Sequence, residues 1–142
     1  MREQYWDALS IITFGDKLMR RLSPAITWSI SIILALLFVA VGSSKLWGPS
    51  AARWSSRFLN WGFPVGSHYV VGAVEIISGL ALLFPRSRRA AAGSLMVVMA
   101  GAFCTHVIHA ELPRVIGPLI LGILAFLLFL SPPATRHQRS TS

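Results

Sequence analysis

The sequence predicts an all-α integral membrane protein, an antiparallel four-helix bundle with a short amphipathic interfacial helix between its first and second spans. Three observations carry this. The 142 residues are 54% hydrophobic and only 13% charged, about half the charge of an ordinary soluble domain. The mean hydropathy of +0.64 comes from four long apolar runs. The cations cluster beside those runs, as flanking charges of membrane helices do. For that reason the net charge of +8 reads as membrane anchoring and not as a nucleic-acid surface. The expected partner is membrane lipid.

Residues 1–24 form a segment with no apolar core fit for a secretory signal. Tyr5, Trp6, Leu9, Ile12 and Phe14 suit either a short interfacial helix or a tail, and Lys17, Arg20 and Arg21 form a basic anchor. The bundle is expected over residues 25–131. Span one is about 25–47, with Ser23 as N-cap and Pro24 in the first turn. Ser31, Ala35, Phe38, Gly42 and Lys45 alternate steps of four and three, a packing seam rich in small residues. Lys45 has two readings: an anchor snorkelling beside Trp47, or a charge turned into the bundle mouth.

Residues 48–64 connect the first two spans. Trp54, Phe58 and Trp61 stand at i, i+4, i+7, with Arg53, Arg57 and Asn60 on the adjacent face, before Gly62 and Pro64. This pattern predicts an amphipathic helix on the membrane surface, either a cover for the bundle mouth or a lid over a ligand.

Span two, about 65–84, organises the rest. Its 20 residues reach across a bilayer, yet Glu75 sits halfway along, where a carboxylate costs ~2.5–3.5 kcal/mol on insertion scales. His68, Gly72, Glu75 and Gly79 share one helix face, with Val, Ile and Leu opposite. This polar stripe is expected to face protein, water or a ligand. The turn Pro85 to Arg89 sends span three, about 90–109, back. Leu95, Met99, Ala102, His106 and His109 mark one of its faces; Gly93, Val97, Ala100 and Cys104 mark another. After Glu111, Pro113 and Arg114, span four, about 115–130, reads as a lipid-facing structural helix with little chemistry. Residues 132–142 form a polar tail. Nine cations lie on the side of the termini and the 85–89 turn and four on the other, which predicts cytoplasmic termini.

That orientation gathers Lys45, His68, His106 and His109 in the outward half of the bundle, with Glu75 about 10 Å deeper than His68. Three chemistries use such a set. A quinone needs an apolar slot and a proton donor or acceptor at each carbonyl, roles for Glu75 and His106 as catalytic groups, with Lys45, His68, Gly72 and Met99 as ligand-binding positions. A metal would take His106 and His109, at i, i+3, together with His68 or Glu75. A haem would take His68 and His106 as axial ligands. Against all three stands a purely structural Glu75 that hydrogen-bonds between helices. The single Cys104 excludes an internal disulfide and a Cys-rich metal site.

The ordered set G-S-S-K-L at 42–46, W-G-F-P at 61–64, V-G-A-V-E-I-I-S-G-L at 71–80, P-R-S-R-R at 85–89 and M-A-G-A-F-C-T-H at 99–106 resembles the DoxX-like family of small four-helix membrane proteins. The resemblance covers residues 25–130 and implies a bundle in the bacterial inner membrane. It also implies a redox connection, since relatives include a subunit of a thiosulfate–quinone oxidoreductase and proteins of oxidative-stress systems. The matching positions are Lys45, Glu75 and His106. With no cysteine pair, thiol–disulfide exchange by this chain alone is not expected. The resulting expectation is a quinone-linked subunit that meets a soluble or membrane redox partner. The alternatives are a non-catalytic assembly protein or a transporter of a small solute or metal.

Overall fold

In the computed structural model, which describes residues 24–131, the chain is all-helical, with five α-helices and one 3₁₀ turn and no strand among the described residues. The candidate interfacial helix from Tyr5 to Phe14, the Ser23 cap, the basic anchor at 17–21 and the tail at 132–142 lie outside the described residues. Helix α1 is Pro24–Leu46, α2 Gly48–Asn60, α3 Ser67–Ala81, α4 Arg88–Ile108 and α5 Ile116–Leu130, with the 3₁₀ turn at Leu112–Arg114. Three stretches are long and apolar enough to cross a membrane: Pro24–Leu46, Arg88–Ile108 and Leu112–Leu130.

Helix α1 is described from Pro24, a residue that suits the first turn of a helix. It buries one stripe, Ser31, Leu34, Ala35, Phe38, Gly42 and Lys45, which contains the whole seam read from sequence. Ser31 satisfies its hydroxyl by donating to the Thr27 carbonyl at 2.8 Å. Ile32, Ile33, Leu36 and Leu37 stay exposed on the other side, a surface suited to lipid. Gly48, at φ +71°, turns the chain into α2, where Pro49 occupies the first turn. Trp54 Nε1 donates to Ser44 Oγ at 3.1 Å and ties α2 back to α1.

Helix α2 ends in a counted closure. Phe63 N–H donates to the Phe58 carbonyl at 3.0 Å, and Gly62 N–H to the Leu59 carbonyl at 2.9 Å. This is the Schellman pattern, which needs a left-handed residue between the two bonds, and Gly62 supplies it at φ +80°. The Phe58 and Phe63 rings meet at 5.4 Å over the closure.

Helix α3 has 15 residues, shorter than the 65–84 stretch read from its apolar run. Gly66 at φ +86° opens it. At the other end Leu83 and Phe84 continue only through bonds to residues three back, because Pro85 has no N–H to donate and biases Phe84 away from helix. The buried face is His68, Gly72, Glu75, Ser78 and Gly79, the polar stripe of the sequence with one serine added. It packs mainly on α1. A Cβ on Gly42 would stand 2.7 Å from the Gly72 carbonyl oxygen, and one on Gly72 2.8 Å from the Gly42 oxygen. Two glycines therefore let the two backbones touch, as small residues do between membrane helices.

Helix α4 packs on α3, where Ser78 Oγ donates to Ser94 Oγ at 3.1 Å, and more extensively on α5. Leu34, Phe38, Leu82, Leu95, Met99 and Leu128 form the centre of the apolar core. Val97, Ala100 and Cys104, on the second face read from sequence, are exposed. At the start of α4, Arg88 Nε donates to the Leu82 carbonyl at 3.2 Å, and its guanidinium lies 4.7 Å from the Trp28 ring centre.

Candidate functional site

The closest glycine contact between α1 and α3 positions a buried ion pair. One helical turn from Gly42, Lys45 Nζ donates to Glu75 Oε2 at 2.6 Å, with side-chain exposures of 5% and 3%. Of the two readings of Lys45, the structure shows the charge turned inward. Its ammonium also lies 4.6 Å from the centre of the Trp54 ring, a cation–π contact worth ~0.5–2 kcal/mol depending on desolvation.

Lys45 and Glu75 line a cavity of about 380 Å³. This volume lies within the ~300–1,000 Å³ usual for small-molecule sites. The aromatic face of α2 and its turn, Trp54, Phe58, Trp61 and Phe63, forms one wall. Val71 comes from α3, Met99, Gly101 and Ala102 from α4. Helix α5, expected to be purely structural, contributes Gly117, Pro118 and Leu121. The polar groups at the wall are the ion pair, Ser67, Thr105 and His106. Glycine leaves room here: a Cβ on Gly101 or Gly117 would meet nothing within 4 Å. An apolar groove of about 340 Å³ between α4 and α5 shares Met99 and Pro118 with the cavity.

His106 is held from behind. Its Nδ1 lies 2.8 Å from Glu111 Oε2, and Arg114 Nη1 donates to Glu111 Oε1 at 2.8 Å. Partial burial of Glu111 opposes its charge. The His106 hydrogen bond outweighs this together with the charges of Arg114, His106 and Arg57, and the carboxyl is held below its ordinary range. An ionised carboxylate has no proton to give, so Nδ1 is the donor. The Trp61 ring meets the imidazole edge to face at 5.3 Å and 88°.

The site residues read from sequence therefore divide. Lys45, Glu75, Met99 and His106 share the cavity. Gly72 lies behind it, in the α1–α3 contact. His68 is buried outside the cavity wall, 4.0 Å from the Tyr69 ring and 6.2 Å from Phe58, with Nε2 unpartnered. His109 is exposed and its Nδ1 bonds the Thr105 carbonyl at 2.8 Å. Among the described residues no three His, Cys, Asp or Glu side chains assemble to hold a metal, so His68, His106 and His109 are not brought together as a metal site. Glu111 is the residue that sequence reasoning left in a turn. Its signal would have been a carboxylate five residues after a buried histidine.

A buried ion pair at the wall of an apolar cavity, in a chain with three helical stretches long and apolar enough to cross a membrane, defines a small helical membrane protein with an internal ligand-sized site. The chain belongs to the DoxX-like family, whose model matches residues 29–128. A search of curated proteins and a search of solved structures found no match.

Proposed function

We propose that this chain is an antiparallel four-helix bundle of the bacterial inner membrane, with cytoplasmic termini, that binds a lipid-soluble, quinone-like ligand as a redox-associated subunit. Helices α1, α3, α4 and α5 would be the spans and α2 the interfacial cover. The observation that carries the reading is the cavity itself: apolar and aromatic walls interrupted by a Lys45–Glu75 pair and one imidazole. That composition suits a flat apolar ring with oxygen atoms at its edge and repels a fully charged solute.

The residues present fit a quinone head. The ammonium of Lys45 supplies a donor and a positive charge, the His106 ring a proton-exchanging nitrogen, and Gly101 and Gly117 the space for a ring. A quinone contributes reversible uptake of two electrons and two protons. The chain's part is to bind it, exclude bulk water with the α2 aromatics, and hold protons at the cavity wall. Electrons would come from a redox partner.

Native mass spectrometry with an absorbance spectrum on gently extracted protein tests this. A retained quinone mass in wild type, lost in Gly101→Leu, is the expected result. Protein that emerges bare from quinone-containing membranes, and takes up no added ubiquinone-type probe, would overturn the proposal. The alternative of a non-catalytic assembly protein draws on the same ion pair, which ties α1 to α3 beside Gly42 and Gly72. It predicts a co-purifying partner protein, an empty cavity, and a Glu75→Gln variant altered in stability alone.

A further inference from the structure

Helix α4 ends in the same closure as α2, with one residue changed. Glu111 N–H donates to the His106 carbonyl at 2.8 Å and Ala110 N–H to the Val107 carbonyl at 3.1 Å. The left-handed position between them is Ala110, at φ +55°, the only non-glycine residue with positive φ among those described. An alanine there is disfavoured relative to glycine, so the surrounding bonds over-determine the turn. They join the same two residues twice: backbone N–H of Glu111 to carbonyl of His106, and imidazole of His106 to carboxylate of Glu111.

We infer that Glu111 is a positioning residue that fixes His106 as a proton-exchange group at the cavity wall. The inference rests on the cavity being the ligand site proposed above. Glu111 holds the Nδ1 proton, so Nε2 is the ring nitrogen left for exchange. Side-chain exposure is 11% for His106 and 23% for Glu111, so the dyad runs from the cavity wall to partly solvated surface. Arg114 fixes the far carboxylate oxygen, and the Trp61 ring, itself beneath the Arg57 guanidinium at 5.9 Å, restrains rotation of the imidazole. Lys45 and Glu75 are the other charged groups on the same cavity. In the exchange, doubly protonated His106 gives its Nε2 proton to a ligand oxygen. It becomes a neutral imidazole whose Nδ1–H stays on Glu111; the reverse step returns the proton.

The test reads the tautomer without any ligand. The full chain is labelled with ¹⁵N-histidine, placed in lipid nanodiscs, and its imidazole nitrogen shifts are measured by NMR at alkaline pH, with His106 assigned from the signals missing in His106→Asn. In wild type the Nδ1–H tautomer should dominate by roughly tenfold or more, as a charge-assisted hydrogen bond requires. Glu111→Ala should abolish that preference. Glu111→Gln, which keeps an acceptor without the charge, should leave an intermediate one. Unchanged His68 and His109 signals report an intact fold. An Nε2–H tautomer in wild type, or a preference that survives Glu111→Ala, overturns the inference. Because no ligand is added, failure of the quinone reading leaves this measurement unaffected.

Discussion

Removing one member of the Lys45–Glu75 pair strands the other. In Glu75→Gln the ammonium stays 5% exposed and loses its carboxylate at 2.6 Å. Breaking a buried pair typically costs ~3–5 kcal/mol, because an uncompensated charge remains in place. Two features limit the loss: glutamine still offers a neutral acceptor, and the Trp54 ring remains 4.6 Å from Nζ. The expected cost is therefore about 3 kcal/mol. Lys45→Met should cost more, since the carboxylate has no other hydrogen-bond partner among the described residues. The double variant Lys45→Met/Glu75→Gln removes both charges and should recover about 2 kcal/mol or more relative to the sum of the singles. The assay is a double-mutant cycle of reversible unfolding in mixed micelles, with all four proteins at one pH. Additive single effects would refute the argument. So would a Glu75→Gln protein as stable as wild type, since either result means that the pair is not desolvated.

Further outcomes follow from packing and charge. Gly72→Ala forces a Cβ to 2.8 Å from the Gly42 carbonyl and 3.0 Å from Lys45 Cβ, and overpacking of this kind should cost ~1–3 kcal/mol by thermal melting. Gly101→Ala meets nothing within 4 Å in mid-helix, so it should be neutral or stabilising by up to ~1 kcal/mol. The Glu111 carboxyl, held below its ordinary 4.5, stabilises the fold fully above that value. The contribution is lost as the pH falls through the lower folded-state value. The melting temperature should therefore fall more steeply with falling pH for wild type than for Glu111→Gln, and parallel pH profiles would count against the ion pair.

The buried faces were the most legible part of the chain. Steps of three and four through Ser31, Ala35, Phe38, Gly42 and Lys45, and through His68, Gly72, Glu75 and Gly79, name the sides of α1 and α3 that pack together. Such periodicity is a direct image of burial. Partner choice is not periodic. Lys45 had two plausible fates, and only the glycine contact that sets the distance between α1 and α3 decides for Glu75. Helix α5 looked inert because glycine, proline and leucine carry no chemistry, yet as cavity wall they need none. His68 read as part of the site because it shares a face with Glu75; a face is wider than a cavity, and the ring lies behind Phe58 and Tyr69. Glu111 escaped notice because its turn is built on Ala110, where the usual glycine signal is missing.

The two six-residue closures also govern how the chain can vary in length. Phe58 to Phe63 and His106 to Glu111 are each spanned by a backbone bond that fixes the number of residues between its ends. Loops normally absorb insertions and deletions with little loss. These two do not have that freedom: one extra residue after Gly62 would carry Phe63 off Phe58, and one after Ala110 would carry Glu111 off His106. The turns at 61–63 and 109–111 are loops by shape, but their length is as tightly set as that of any helix in the molecule.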